Sequence, residues 1–475
     1  MKISNIFNLH KSQAELDFID IDIQEDTALF LDPFFLGLRN DKWSIEATKT
    51  IRSFFQTVLN LLRNNQIDEA KKLFDYLHEP NSTCLGMSVG TPRGRGVGAT
   101  DTDDIFKSIA SSQAMQTGLI EDLEDNILFI EGFGKDKLSD MTTNIIRSHL
   151  IEYTQKQCKL HGIVLTANMP SEFYWNRQSA QWEQKMVDSL IANGKKILLV
   201  PKGVVSYCKD YVPNKYYQHF VLNFMQNEHL RLNSALIQKR KDGTPFVTKK
   251  DLKEKYPFSK DFLADFTNRN PLVLQQFKGQ TSTSSLTNKE LTELDIPALI
   301  GSLKTKLTSI PPGTASATDY HRTITGIIEL IFYPHLIYPD LEREIHDGRK
   351  RIDINFDNAS ETGIFHRLSN NMGIPCQYIM MECKNYSSDP VNPELDQLSG
   401  RFSPNRGKVG FLLCRTIDKF DLFIKRCQDT YRDDRGLIIP LSDKDIIQIL
   451  DNYNNWNSNY IDQFLSDRIR EITIN

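Results

Sequence analysis

Two short apolar runs near the C-terminal end each enclose a carboxylate: Asp353 in Arg351–Phe356 (RIDINF) and Glu382 in the stretch YIMMECK ending at Lys384. If both runs are strands, Ile352 and Ile354 point away from Asp353, while Glu382 and Lys384, two apart, share one face. An isolated carboxylate buried in apolar surroundings is very costly. Such acids must therefore be paired, face a solvated cleft, or bind a metal. On neighbouring strands they would offer oxygen ligands suited to Mg²⁺, with waters and phosphate oxygens completing the octahedron. Lys384 could then orient or deprotonate an attacking water, or stabilise charge in a phosphorane-like transition state. Acid, acid and lysine at one edge are the equipment of metal-dependent phosphodiester hydrolysis.

The chain around these runs is too long for one ordinary domain. Its 475 residues predict two to four domains of roughly 100–200 residues. Residues 1–205 read as an α/β or α+β region, with short buried strands at Ala28–Leu31, Ile127–Ile130, Gly162–Thr166 and Lys196–Pro201. Helical spacing runs through Ile51–Arg63, Ile67–His78 and Leu138–Cys158. Residues 206–310 read as mainly helical and locally basic, with a Ser/Thr-rich linker at Gly279–Leu286 and one helix over Asn288–Leu307. From residue 311 to 475, helix and strand alternate compactly: His321–Phe332 as helix, Arg351–Phe356 and Tyr378–Glu382 as strands, Leu395–Phe402 as helix, then Val409–Cys414 and Leu437–Pro440 as strands. The fold class is α/β, its C-terminal part a mixed central sheet flanked by helices. No internal repeat of 20–50 residues is visible.

The ordered set Glu329 on a helix, Asp353 in GRKRIDINF and Glu382-Cys383-Lys384 in IMMECKNY resembles the PD-(D/E)XK, or restriction-endonuclease-like, nuclease superfamily over about residues 315–450. The resemblance implies that Asp353, Glu382 and Glu329 bind Mg²⁺, with Mn²⁺ as a substitute, and that Cys383 lends its backbone carbonyl. It implies that Lys384 assists the water and that Gln397, in ELDQLSGR, lies beside it. It also implies a DNA substrate and a setting in restriction or anti-phage defence. The 29 positions between Asp353 and Glu382 exceed the shortest members' spacing; apolar Ile364, Phe365 and Leu368 predict a helix over Glu361–Met372, inserted between the two strands.

Charge first leans away from nucleic acid: 57 Lys+Arg against 61 Asp+Glu give −4. The distribution alters that reading. Residues 315–475 hold 19 Lys/Arg and 24 Asp/Glu, a net of −5, leaving +1 for the remainder. Within Gln238–Lys260, eight Lys/Arg face three acids, including Lys239, Arg240, Lys241, Lys249 and Lys250 interleaved with Phe246, Tyr256 and Phe258. Such a segment reads either as a DNA contact or as a solvated helix face. Arg401, Arg406, Lys408 and Arg415 flank the helix and strand after Lys384 and could approach the scissile phosphate; each alone is more often simply solvated.

Other signals are weaker. The stretch Gly86–Gly98 (GMSVGTPRGRGVG) lacks the GK[ST] ending of a phosphate loop and reads as a flexible loop. His346, Asp347 and Arg349 read as a turn. Asp101–Asp104 and Glu121–Asp125 read as helix caps or solvated faces, Trp175 and Trp182 as packing, and the ten histidines as structural. Seven cysteines without CxxC or zinc spacing fit core thiols in a reducing compartment. No apolar run approaches a membrane span and the N-terminus carries no apolar leader, so a soluble cytoplasmic protein is expected.

The expected activity is a Mg²⁺-dependent endonuclease acting on DNA, with a homodimer serving two-strand cutting and a defence-system protein as a further partner. Two alternatives stand beside it: a nucleic-acid-binding scaffold with an inactive nuclease fold, and a nuclease effector gated by a nucleotide or protein signal at the N-terminal region.

Overall fold

The computed structural model describes residues 1–86, 99–282, 284–292, 295–345, 350–453 and 459–474. The glycine-rich loop beyond Gly86 and the turn holding His346, Asp347 and Arg349 lie outside the described residues. The chain is mixed α/β, and among the described residues no helix is long and apolar enough to cross a membrane.

The N-terminal half is dominated by helices whose buried stripes follow the helical period. Helix α1 (Lys42–Arg63) buries Ala47, Ile51, Phe54, Phe55, Val58 and Leu59. Asp41 caps it by accepting from the Ser44 N–H at 2.9 Å. The helix expected over Leu138–Cys158 is two, α2 (Lys135–Ile145) and α3 (Arg147–His161), meeting at Ile146. Two expected strands are not strands. Ile127–Phe129 falls in a short helix, Asp125–Phe129, with Ile130 as its C-cap, and the Asp125 carboxylate accepts from the Glu121 and Asp122 N–H groups of the preceding turn; a short buried apolar run carries no period that separates the two forms. Gly162–Thr166 is irregular, with Val164 88% exposed, and the strand begins only at Thr166. Phe30–Leu31 is a strand, paired antiparallel with Val205–Ser206.

The middle is helical, as the polar text predicts, and includes α4 (Lys249–Lys255), capped by Thr248. The expected linker is not a free tether. A helix runs to Gln280, Ser285 accepts from Arg39 at 2.9 Å, and the buried Leu286 offers its carbonyl to the Tyr333 hydroxyl at 2.8 Å. The next helix is divided into Asn288–Leu291 and Ile296–Ser309, the second opened by Asp295 as cap and a proline in its first turn.

In the C-terminal part, helix α5 (Ala317–Phe332) precedes a five-stranded sheet in the order β1 (Leu336–Ile345), β2 (Lys350–Asn358), β3 (Tyr378–Lys384), β4 (Val409–Cys414), β5 (Leu437–Ser442). The β1–β2 and β2–β3 pairs are antiparallel; β3–β4 and β4–β5 are parallel. Every residue of β4 and β5 is buried, as a parallel pair covered on both faces requires. The inserted helix is present as α6 (Gly363–Asn370), and β2 still pairs directly with β3. Helices α7 (Asn392–Ser399) and α8 (Phe420–Arg432) make the two parallel crossovers; α9 (Asp443–Asp451) and α10 (Asn459–Thr473) complete the cover. Two apolar cores interlock: Tyr333, Ile337 and Tyr338 join the N-terminal core, and Ala14 joins that of the sheet.

Candidate active site

The register of β2 and β3 sets the site. Ile354 stands opposite Met381, so one step along the antiparallel pair Asp353 stands opposite Glu382. Asp353 accepts from the Cys383 N–H at 2.9 Å. Glu382 is fully buried, and both its oxygens are engaged by cations: Lys384 Nζ at 2.7 Å on one and Arg401 on the other. A carboxylate so deep is tolerable only with such partners. Lys384 also donates to Gln397 Oε1 at 3.0 Å, one turn into α7, and lies 5.8 Å from the ring of Tyr386. The lysine is therefore gripped from the strand on one side and the following helix on the other.

One further group reaches the site from the helix before the sheet. His321 Nε2, on α5, lies 3.3 Å from the Cys383 carbonyl oxygen. Burial pushes the Cys383 thiol well up, reinforced by Asp353, so this cysteine contributes its backbone rather than a thiolate. Burial lowers the pKa of Arg401 while Asp353 raises it.

The residues expected from the sequence thus separate into groups. Asp353, Glu382, Lys384, Gln397 and the Cys383 backbone come together. Arg401 joins them as a buried counter-ion of Glu382, which overturns its reading as a phosphate contact: at 5% exposure it has no surface to offer a strand of DNA. Arg415 is also corrected. Its guanidinium binds the carbonyls of Leu307 and Ile310 and pairs with Asp443 at 2.8 Å, stacked 4.9 Å from the Tyr320 ring. It fastens the segment before α5 to the sheet.

Glu329 does not join the pair of acids. It faces the N-terminal region, where Lys11, Lys202, Asp17 and Glu15 are the charges acting on it. It is 2% exposed and neither oxygen has a hydrogen-bond partner among the described residues. Burial pushes its carboxyl up to about 8, against the pull of Lys11 and Lys202. The helical face that carries Glu329 packs on residues Gln13–Glu15 instead of on the β2–β3 edge.

Lys239, Arg240, Lys241 and Lys250 are exposed on a hairpin and on α4, whereas Lys249 is half-buried and donates to the Gln218 carbonyl at 2.7 Å. Sequence reading missed the roles of Arg401 and His321. For Arg401 a signal existed: it lies four residues after Gln397 within the stretch expected as helix over Leu395–Phe402, although α7 itself ends at Ser399. For His321 there was none, because its partner is a backbone carbonyl 62 positions away.

Residues 8–212 match the family model of a domain of unknown function, DUF8370. No curated protein matches the chain, and no solved structure does.

Proposed function

We propose that this chain is a Mg²⁺-dependent deoxyribonuclease of the PD-(D/E)XK kind, with Asp353, Glu382 and Lys384 as its catalytic residues. One observation carries the reading: the β2–β3 register, carried one step beyond the Ile354–Met381 pair, sets two carboxylates on adjacent strands, with a lysine held at the same end by Glu382 and Gln397. The donors fit the ion. Among the described residues no three His, Cys, Asp or Glu side chains gather to hold a metal, and Mg²⁺ is commonly bound through only one or two carboxylates with water and substrate phosphate oxygens. A carboxylate offers about four lone-pair sites, so Glu382 can keep its cations and still face an ion.

Asp353 and Glu382 would hold the metal, with the Cys383 carbonyl beside them. When bound, the ion lowers the pKa of water and neutralises charge on the phosphate. The chain does the rest. Arg401 supplies a counter-charge to Glu382 in its buried position. Gln397 fixes the Lys384 ammonium, which orients the water and balances negative charge on the reacting phosphate. Lys239, Arg240, Lys241 and Lys250 would supply sequence-independent contacts to DNA phosphates. The proposed setting is a cytoplasmic restriction or defence system, with cutting of both strands served by a homodimer.

Plasmid, linear and single-stranded DNA incubated with the protein and Mg²⁺, Mn²⁺ or chelator test this. Metal-dependent cleavage should vanish in Asp353→Ala, Glu382→Ala and Lys384→Ala, while binding persists. A second reading, a nuclease fold that binds without cutting, is favoured by the double engagement of Glu382. DNA retention with no nicking under either metal would establish it and end the first.

A further inference from the structure

A cavity of about 360 Å³ lies between the N-terminal half and the nuclease-like sheet, within the size range of small-molecule sites. Its position follows from strand alternation. Asp353, Asn355 and Asp357 share one face of β2; Glu382, Met380 and Tyr378 are their partners on β3. Asn355, Asp357 and Tyr378 line the cavity, so it continues the face that bears Asp353 and Glu382, roughly 7–14 Å further along the strands at about 3.4 Å per residue. Helices α1 and α3 roof it.

Part of its wall is aromatic. Trp43, Tyr153 and Tyr338 form a contiguous aromatic surface, with centroids 5.5, 5.9 and 6.4 Å apart. Tyr338 is held there against local preference: its φ is +53°, in the left-handed region, at an irregularity in the β1–β2 register. A bulky residue in that region is uncommon and marks a position over-determined by its surroundings. Asp17 supplies the restraint, accepting from the Tyr338 N–H at 3.1 Å and from the Tyr153 hydroxyl at 2.7 Å.

Three polar atoms of these wall residues are unspent. Trp43 Nε1, Asn355 Nδ2 and Gln157 Oε1 are buried without hydrogen-bond partners among the described residues. Two donors and an acceptor beside aromatic faces match the edge of a nucleobase, which presents both kinds of group in its plane. The charges discriminate further. Glu46 is paired with Lys49 and Arg177, and Asp340 with Lys156 at 3.8 Å, while Glu152 stands on the exposed rim of the cavity, where its carboxylate opposes a phosphate.

We infer that this cavity is a nucleobase pocket: it takes the base of a nucleoside, either free or extruded from a DNA strand lying along the same sheet face, and rejects a terminal phosphate. Only the strand-derived source rests on the proposed nuclease function, and the test reads binding rather than cleavage.

Calorimetric titration of the full chain in chelator with adenosine, guanosine, cytidine and thymidine, and with their 5′-monophosphates, tests the pocket. At least one nucleoside should bind saturably, its monophosphate at least about tenfold more weakly. Trp43→Leu should weaken the nucleoside at least about tenfold. Glu152→Lys, on the exposed rim, should narrow the preference over the monophosphate several-fold and keeps the test valid if the first variant misfolds. A single-stranded oligonucleotide carrying 2-aminopurine forms the second arm. A fluorescence change lost in Trp43→Leu but retained in Glu152→Lys, without free-nucleoside binding, would assign the base to the strand. No response in either arm, or a monophosphate that binds as tightly as its nucleoside, would overturn the inference.

Discussion

Replacing Glu329 by Gln should remove a large part of the pH dependence of stability between pH 5 and 8. The carboxyl is 2% exposed, without hydrogen-bond partners among the described residues, and burial raises its pKa from 4.5 to about 8 despite Lys11 and Lys202. In the unfolded chain it titrates near its ordinary value, so between the two values the folded state holds more protons. Stability must then fall as pH rises through this window. At 1.36 kcal/mol per pH unit, the rise to about 8 sets a ceiling of about 5 kcal/mol on the loss. Above pH 8 the trend reverses for a second buried group, because burial lowers Lys202 to about 8 and the folded chain then sheds a proton that the unfolded chain retains. Glutamine is nearly isosteric and does not titrate. Urea denaturation of wild type and Glu329→Gln at pH 5, 6, 7 and 8, at one ionic strength, reads the effect. The variant's advantage should be smallest at pH 5 and grow toward pH 8. Parallel curves across the range would refute the assignment of this acid as a buried group neutral at pH 7.

Other perturbations follow from the same geometry. Arg401→Ala strands the fully buried Glu382 without one of its cations and should destabilise by about 3–5 kcal/mol in urea titrations; the double variant Arg401→Leu, Glu382→Leu should recover most of that loss, and failure to do so would mean that shape rather than charge governs the site. Gly436 has φ +117° and a Cβ there would strike the Phe402 ring and lie 2.9 Å from the Lys408 carbonyl oxygen, so Gly436→Ala should cost at least about 1–3 kcal/mol by the same measurement. All seven cysteines are buried, with burial raising Cys84 to about 11 and Cys158 and Cys427 to about 12. Maleimide at pH 7.5 should therefore label the native protein slowly and all seven thiols after denaturation; a rapidly labelled thiol in the folded chain would contradict the burial.

Much of the C-terminal architecture was legible residue by residue. The runs that became β2 to β5 are short and apolar with turn residues between them, and the inserted α6 announced itself through Ile364, Phe365 and Leu368. The pairing of Asp353 with Glu382 could be anticipated because period-two alternation puts each acid on a definite face. Ile127–Ile130 was not readable, since a buried run that short fits either helix or strand. Nor was Gly279–Leu286: its composition is that of a loop, and only the contacts of Ser285 and Leu286 with Arg39 and Tyr333 make it part of the packed body.

The sequence by itself determined which residues could lie in strands and helices, and that Asp353 and Glu382, set in apolar runs, had to be paired, solvated or bound. Those conclusions need only the periods of regular backbone and the cost of burying charge. The tertiary structure decided where the remaining charges went: Glu329 toward Lys11 and Lys202, Arg401 into Glu382, Arg415 onto the Leu307 and Ile310 carbonyls. It also decided that Trp43, Tyr153 and Tyr338, spread over nearly 300 positions, enclose one cavity. Local periodicity fixes the face a side chain takes on its own element, but not which distant element covers that face; that is settled by how the two cores interlock.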